Sequence, residues 1–285
     1  MPEGDSVYRL AARLRPPLDG QLVEAGETRS GTAAGTSLAG WRVLGHDTHG
    51  KHLLTRFDSG MTLHTHLRMQ GSWTVTGAGR SIPRRLIPQV RVRMQTAAGP
   101  TAWGLDVPVV DLLPTRDEKS VVGHLGSDPL RADWDADDAA RRLLLDPGRP
   151  VIAALLDQRV MAGLGNLWAN EVCFLRGHYP WTPVGEVDVP RLVAVAARSL
   201  RASVHIAGMF QVTTGITARG ERHWVVGRAG RPCLRCGTPV SVRAEVTGDP
   251  ERRRTWWCAR CQAAPAASST EASGPETFRP GTTGA

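Results

Sequence analysis

The chain has 285 residues, 41% of them hydrophobic, with a formal charge of +8 and a sequence pI of about 10. That length supports two modest domains with buried cores, and the basic balance points to a polyanionic partner. No run of 18 apolar residues occurs, and Glu3 and Asp5 stand where a signal peptide would be basic, so neither a membrane span nor export is expected, and a cytoplasmic location is.

The first element is a helix. Asp5 precedes Val7, Leu10, Ala11 and Leu14 at helical spacing, with Gly4 and Asp5 turning and capping the chain into it and Pro16-Pro17 ending it. From about 20 to 113 short alternating runs follow, among them WRVLGHD (41–47), KHLLTRF (51–57), MTLHTHL (61–67), SWTVT (72–76) and QVRVRMQ (89–95). Their length and spacing predict a β-sandwich or barrel. The segment SIPRRLIP (81–88) has no evident role. A polar connector spans about 114–135.

Helical signals then take over at 135–146, 149–158 and 165–175, the last with Asn166 placed as an N-cap. A fourth helix, 188–206, opens with Asp188 and Pro190 and carries Leu192, Val195, Ala196 and Ser199 on one face. Beyond Gly208 periodicity lapses until a cysteine module at about 228–262, and residues 263–285 read as a disordered tail. Strands first and helices next predict an α+β chain with separate domains.

Four of the five cysteines form two CxxC pairs, Cys233/Cys236 and Cys258/Cys261, with 21 residues between them. In a cytosolic chain this spacing reads as a structural four-cysteine zinc site, a redox pair being the alternative. Cys173, alone in an apolar helical run, reads as a buried small hydrophobe.

Pro2 would become a terminal secondary amine if Met1 were removed. An α-amino group has a pKa of about 7.7–8.0, far below the ~10.4 of lysine, so much more of it is free base at neutral pH. Such an amine attacking an aldehyde or aminal carbon gives an iminium that acts as an electron sink for eliminations at neighbouring carbons. The bland alternative is a proline that merely follows a start codon. Glu3 could shuttle protons beside it, and Lys51, directly after the Gly50 turn, could assist a leaving oxygen. Lysine occurs only at 51 and 119 in this arginine-rich chain. Either charge alone could equally be a solvated surface group.

In AGLGN (162–166) a Gly turn between helices either grips a phosphate through backbone N–H groups and Asn166 or simply packs two helices. His64 and His66 alternate on a strand with no third ligand nearby, which favours a hydrogen-bonded or exposed pair over a metal site. Arg68, Met69 and Gln70 at the next turn are of the long, flexible kind that fills a gap in a base stack. ERRRTWWC (251–258) sets arginines beside two tryptophans, either as a phosphate clamp or as a basic hairpin tip that contacts nothing.

MPEG at the terminus, GKHLL at 50–54, LDQ…AGLGN…E at 156–171 and VGRAGRPCLRCG…WWCARCQ at 226–262 occur in this order, and over residues 1 to about 262 the chain resembles the Fpg/Nei family of DNA glycosylases, on the endonuclease VIII side. The resemblance implies a catalytic β-sandwich (1–120), a connector (121–135), a helix–two-turn–helix domain (136–225), a β-hairpin zinc finger (226–262) and a tail (263–285). It implies a monomer that needs no nucleotide cofactor and binds damaged double-stranded DNA in the cleft between its domains. Pro2 is then the nucleophile, Glu3 the proton-transfer residue, Lys51 the turn lysine that meets the DNA backbone, and Asn166 a phosphate ligand. The zinc-finger arginine is Arg253, flanked by Arg252 and Arg254. The target nucleotide is flipped out, Arg68, Met69 and Gln70 fill the gap, and β- and δ-elimination follow base excision.

Family members that prefer 8-oxoguanine carry an Arg-Arg-Phe stretch in a later sandwich loop. TAWGLDVPVVDLL (101–113) lacks it, which favours oxidised pyrimidines and abasic sites; RMQ at 68–70 also differs from the Gln-Leu-Tyr of the familiar endonuclease VIII pattern. Two other readings compete: an inactive zinc-finger protein that binds DNA damage, and a small-molecule tautomerase using its terminal proline. The first has no use for Pro2, Glu3 and Lys51 together, the second none for a finger and a +8 charge.

Overall fold

In the computed structural model the first helix, α1 (Gly4–Leu18), lies across one end of a β-sandwich and contributes Val7, Leu10, Ala11, Leu14 and Leu18 to its core. The structure describes residues 2–206, 208, 210–244 and 253–265, so Met1, Arg252 and most of the expected tail lie outside the described residues. Pro16 and Pro17 do not end α1 but sit inside its last turn. They sacrifice two N–H donors, yet Asp19 N–H still reaches the Arg15 carbonyl (2.8 Å) and buried Leu18 holds the turn against the core. Asp5 is not the cap either. Glu3 holds the N-cap position, its carbonyl accepting from Ser6 and Val7, while Asp5 is buried one residue into the helix.

Eight strands follow: β1 (Val23–Thr28), β2 (Val43–His49), β3 (His52–Phe57), β4 (Met61–His66), β5 (Ser72–Thr76), β6 (Val90–Thr96), β7 (Thr101–Leu105) and β8 (Val109–Pro114). They form two four-stranded antiparallel sheets, ordered β1-β6-β7-β5 and β2-β3-β4-β8. In β6 the residues Val92, Met94 and Thr96 are buried, while Arg93 and Gln95 between them are half-exposed, the two-residue period of a pleated strand with one face on the core. Phe57, Leu63, Val92 and Val110 meet α1 between the sheets. The unexplained segment at 81–88 covers an outer face, where Ile82 and Leu86 pack on Val90, Trp103 and Leu105.

After a short helix, α2 (Lys119–Val122), come α3 (Ala136–Leu143), α4 (Val151–Leu156), α5 (Asn166–Arg176) and α6 (Val189–Ser203). Asp135 and Asp188 cap α3 and α6 by accepting from the N–H groups of Asp138 and Arg191. The buried stripe of α6 is Leu192, Val193, Ala196, Ala197 and Leu200, turned from the expected face so that Val195 and Ser199 lie at its margin. That stripe packs with Leu143, Ile152, Leu155, Trp168 and Val172 in a second core. The far end of α5 belongs to a third: Phe174 packs with Val225, Val240, Cys233 and Cys258. The last two are at the base of a hairpin of β9 (Val240–Arg243) and β10 (Thr255–Cys258). Helix α5 thus joins the helical layer to the cysteine module.

Candidate active site

Glu3 is fully buried, and its carboxylate reaches across to the start of α5. Oε2 accepts from the N–H groups of Gly165 (2.7 Å) and Trp168 (3.2 Å), and Oε1 accepts from Leu167 N–H (2.8 Å). These are the donors a helix leaves unsatisfied at its N-terminus, where a negative charge is also favoured. The N-cap of α5 is therefore Gly165, not Asn166, and the cap's work is done by a carboxylate 162 residues earlier in the chain. It follows that these backbone N–H groups do not grip an external phosphate; Glu3 has taken them.

Close approach explains the glycines of AGLGN. Gly4 N–H donates to the Gly163 carbonyl (2.8 Å). A Cβ on Gly165 would lie 2.4 Å from the Glu3 carboxyl carbon, and Gly163 has φ +99°. Gln158 fastens the turn by accepting from Gly163 N–H (3.1 Å) and donating to the Leu164 carbonyl (2.7 Å). The LDQ…AGLGN motif is a socket for the chain's N-terminus. Burial raises the Glu3 carboxyl above the ordinary carboxylate range, outweighing the Lys51 charge and the backbone N–H groups that pull it down.

Pro2, immediately before Glu3, is half-buried and lines a cleft of about 450 Å³ together with Ser6, Leu67, Trp73, Leu167, Phe210 and Gln211. Lys51 occupies the β2–β3 turn, where Gly50 has φ +57°. The turn is pinned from the connector: Gly50 N–H donates to the buried Asp128 carboxylate (2.7 Å), and the His49 ring meets the Gly126 carbonyl (3.0 Å). The Lys51 charge acts on both Glu3 and His66.

The expected histidine pair is part of a larger group. His52 Nδ1 lies 2.8 Å from His64 Nε2, His64 Nδ1 lies 3.2 Å from Asp111 Oδ2, and the His66 ring meets His52 edge-on at 4.8 Å. The register pairs His52 with His66 and His64 with Asp111, placing these groups on one patch of sheet. Burial lowers His52 to about 3 and His66 to about 4, helped at His66 by the Arg68 and Lys51 charges. Beside Lys51 the rings are therefore neutral at pH 7.

Arg68, Met69 and Gln70 form the exposed tip of the β4–β5 turn; Arg68 has φ +45°, and Met69 is 63% exposed. Their neighbours Leu67, Gly71, Ser72 and Trp73 belong to the cleft wall, so the turn stands at its mouth. At the start of α5, Asn166 Nδ2 donates to the Arg254 carbonyl (3.0 Å), and one turn on Asn170 Oδ1 accepts from Trp256 N–H (2.7 Å). These bonds hold Asn166 next to the hairpin strand that Arg253 leads into. Arg253 is half-buried and Arg254 exposed.

The Sγ atoms of Cys233, Cys236, Cys258 and Cys261 all lie within 4.8 Å of one another, with Cys233–Cys261 at 4.0 Å and Cys236–Cys258 at 3.4 Å. A tetrahedral ion with bonds of about 2.3 Å to sulfur sets its ligands about 3.8 Å apart, so the four thiols fit a metal ion. They are the only such group among the described residues; the histidine patch does not form one. Cys173 is buried as expected, and burial pushes its thiol up to about 12.

Two residues of consequence, Asp128 and Asn170, escaped the sequence reading, and a third, Glu171, entered it only as the last letter of the 156–171 motif, without a role. Asp128 fixes the lysine turn, and its one signal is the Ser-Asp-Pro turn at 127–129. Asn170 ties α5 to the hairpin. Glu171, fully buried, accepts from the N–H groups of Trp224, Val225 and Val226 (2.8–2.9 Å) and from the Thr213 hydroxyl. A polar Asn-Glu pair within an otherwise apolar helix was the available signal for both.

Residues 1–107 match the formamidopyrimidine-DNA glycosylase N-terminal domain. A probable endonuclease 8 2 of Streptomyces coelicolor is 46% identical over 270 residues, covering 93% of this chain and 95% of that protein. The chain belongs to the Fpg/Nei family of DNA glycosylases. Within the family, a DNA-(apurinic or apyrimidinic site) lyase Nei2 of Mycolicibacterium smegmatis is 39% identical, covering 93% of this chain and all of that one. The crystal structure of the MutM (Fpg) protein of Thermus thermophilus superposes with a TM-score of 0.74 at 28% identity, over 93% of this chain and all of that one. The Fpg/Nei architecture of sandwich, helices and cysteine hairpin is the one described above.

Proposed function

We propose that this base excision repair glycosylase and AP lyase removes oxidised bases, pyrimidines foremost, and cuts the resulting abasic strand through a Schiff base on Pro2. The observation that carries the reading is the junction at the cleft floor: Pro2 faces the cleft, and Glu3 behind it is buried under the Lys51 charge. With Met1 removed, the Pro2 nitrogen attacks C1′ of the flipped nucleotide, and the glycosidic electron pair leaves with the base, which takes up a proton. The sugar ring opens as the C1′–O4′ bond breaks and O4′ is protonated, leaving an iminium. Loss of the C2′ proton expels the 3′ phosphate; loss of the C4′ proton then expels the 5′ phosphate. Water hydrolyses the iminium and frees Pro2.

In this scheme Glu3 moves protons at the sugar, its raised proton affinity letting it hold one as well as release it. Lys51 meets the adjoining phosphate, with Asn166 and Arg253 gripping the strand from the helix and the hairpin. Arg68, Met69 and Gln70 enter the space vacated by the flipped base. The three-residue β7–β8 connection, Asp106-Val107-Pro108, supports the pyrimidine preference, since it carries no long arginine-bearing loop toward the base.

Zinc in the four-cysteine site would be structural, because an all-thiolate set leaves no open position for substrate; bound, it supplies the cross-link that holds the hairpin. Residues 1–120 would carry the chemistry, 121–135 the link and 136–225 and 226–262 the grip on damaged duplex DNA. The protein would act as a monomer at the nucleoid in the cytoplasm without a nucleotide cofactor. No described helix is long and apolar enough to cross a membrane.

Borohydride trapping on duplexes holding an abasic site, thymine glycol or 8-oxoguanine tests this. Wild type should give a covalent adduct, Lys51→Ala a reduced one and Pro2→Gly none; equal trapping by Pro2→Gly would refute the nucleophile.

A further inference from the structure

The wall of the cleft opposite the sandwich is the segment around Phe210 and Gln211, and it is tied to α1 through a buried polar pair that the mechanism above does not use. Asp5 is fully buried and its carboxylate gathers four donors: Ser203 Oγ (2.5 Å), Gln211 Nε2 (2.9 Å), Arg9 Nη2 (3.3 Å) and, from the next residue, Ser6 Oγ (3.5 Å). Arg9, one turn along α1 and also buried, spends its other terminal nitrogen on the carbonyls of Ser203 (3.4 Å), Gly208 (3.4 Å) and Phe210 (3.2 Å). The pair therefore joins the helix that presents Pro2 to the end of α6 and to the pocket wall. Two more lining residues brace that wall: the His223 ring meets the Gln211 backbone carbonyl (3.1 Å), and the Arg222 guanidinium lies 3.6 Å from the centre of the Phe210 ring.

A carboxylate only accepts hydrogen bonds, so Asp5 dictates which end of the Gln211 amide faces it: the NH₂ group turns to Asp5 and the carbonyl oxygen becomes the acceptor the residue can offer elsewhere. A side chain that lines the cleft is thus held in a single sense by a buried charge one turn from the nucleophile. We propose that Asp5 and Arg9 are positioning residues for base recognition, and that Gln211, oriented by them, is a contact residue for the damaged base. This rests on the glycosylase reading above and adds to it a division of labour. Pro2, Glu3 and Lys51 act on the sugar and phosphate, while the Asp5–Arg9–Gln211 network serves only substrates that still carry a base.

That division sets the test. Removing one member of a buried ion pair strands the other, whereas removing both together is often tolerated. The double variant Asp5→Asn/Arg9→Met removes one charge of each sign while it unties the wall and makes the amide sense ambiguous; it also removes the Asp5 charge that acts on Glu3. Gln211→Leu, which leaves the pair intact, is the second variant and suffices if the first does not fold. Single-turnover excision of thymine glycol from a duplex should fall at least tenfold in either, with cleavage at a preformed abasic site and borohydride trapping there within about twofold of wild type. An equal loss on both substrates, or no loss on either in a folded variant, overturns the proposal. Should wild type fail to trap on abasic DNA, the catalytic reading itself fails, and the two failures are told apart.

Discussion

Glu3 illustrates how one side chain can serve two elements. Its backbone carbonyl begins α1 and its carboxylate caps α5, so the position of the neighbouring Pro2 is referenced to the helical layer as well as to the sandwich. The cost is burial of an acid. Since its folded pKa lies above the unfolded value near 4.5, the folded state holds the proton more tightly, and Glu3 takes stability away as pH rises through that interval. Glu3→Gln abolishes that pH dependence but sets its amide NH₂ against backbone N–H groups that the carboxylate accepted, so the thermal midpoint at pH 7 should fall, while single-turnover excision falls by about 10²–10⁴. Thermal melts at pH 7 beside rate measurements would show both; an unchanged midpoint would contradict the role of the carboxylate as the cap of α5.

At the scale of elements, the site depends on three turns that meet: the start of α1, the β2–β3 turn and the α4–α5 turn. Gly165→Ala places a methyl group within 2.4 Å of the Glu3 carboxyl carbon and must push that side chain off its three N–H donors. Excision should fall by 100-fold or more with duplex affinity kept within a few-fold, as gel-shift titration would show. The β3–β4 pair adds a pH response. His52 and His66 are held neutral by burial, at about 3 and about 4, so the unfolded chain binds protons first. The stability they confer is complete above about pH 6.5 and is lost as pH falls toward 4 and then 3. Urea unfolding should show a lower midpoint at pH 5 than at pH 7, and His52→Phe should flatten that dependence.

For the whole molecule, the hairpin matters because α5 is bonded to it through Asn166 and Asn170 and packs on it through Phe174. Metal removal should loosen β9 and β10 while leaving the sandwich, whose core is separate, folded. Chelation is expected to weaken duplex binding at least tenfold and to leave the near-ultraviolet signal of the sandwich tryptophans Trp41, Trp73 and Trp103 largely intact. Arg253→Ala should lower the slope of log affinity against log salt by about one, the signature of one lost phosphate contact.

Much of this was legible because local rules reach it. The alternation in β6, the Asp188 start of α6, the CxxC pairs and the order of the four motifs are all short-range patterns, and they determined the strands, the helices, the cysteine cluster and the family. Tertiary structure alone decided what the motifs do to one another. No local rule can say that Glu3 rather than Asn166 caps α5, that Asp128 pins the lysine turn, or that Asp5 faces Gln211 instead of capping its own helix. Each of these contacts joins residues 78 to 206 positions apart. Their physical cause is burial, since a polar group taken out of water accepts whichever partner the packing brings to it.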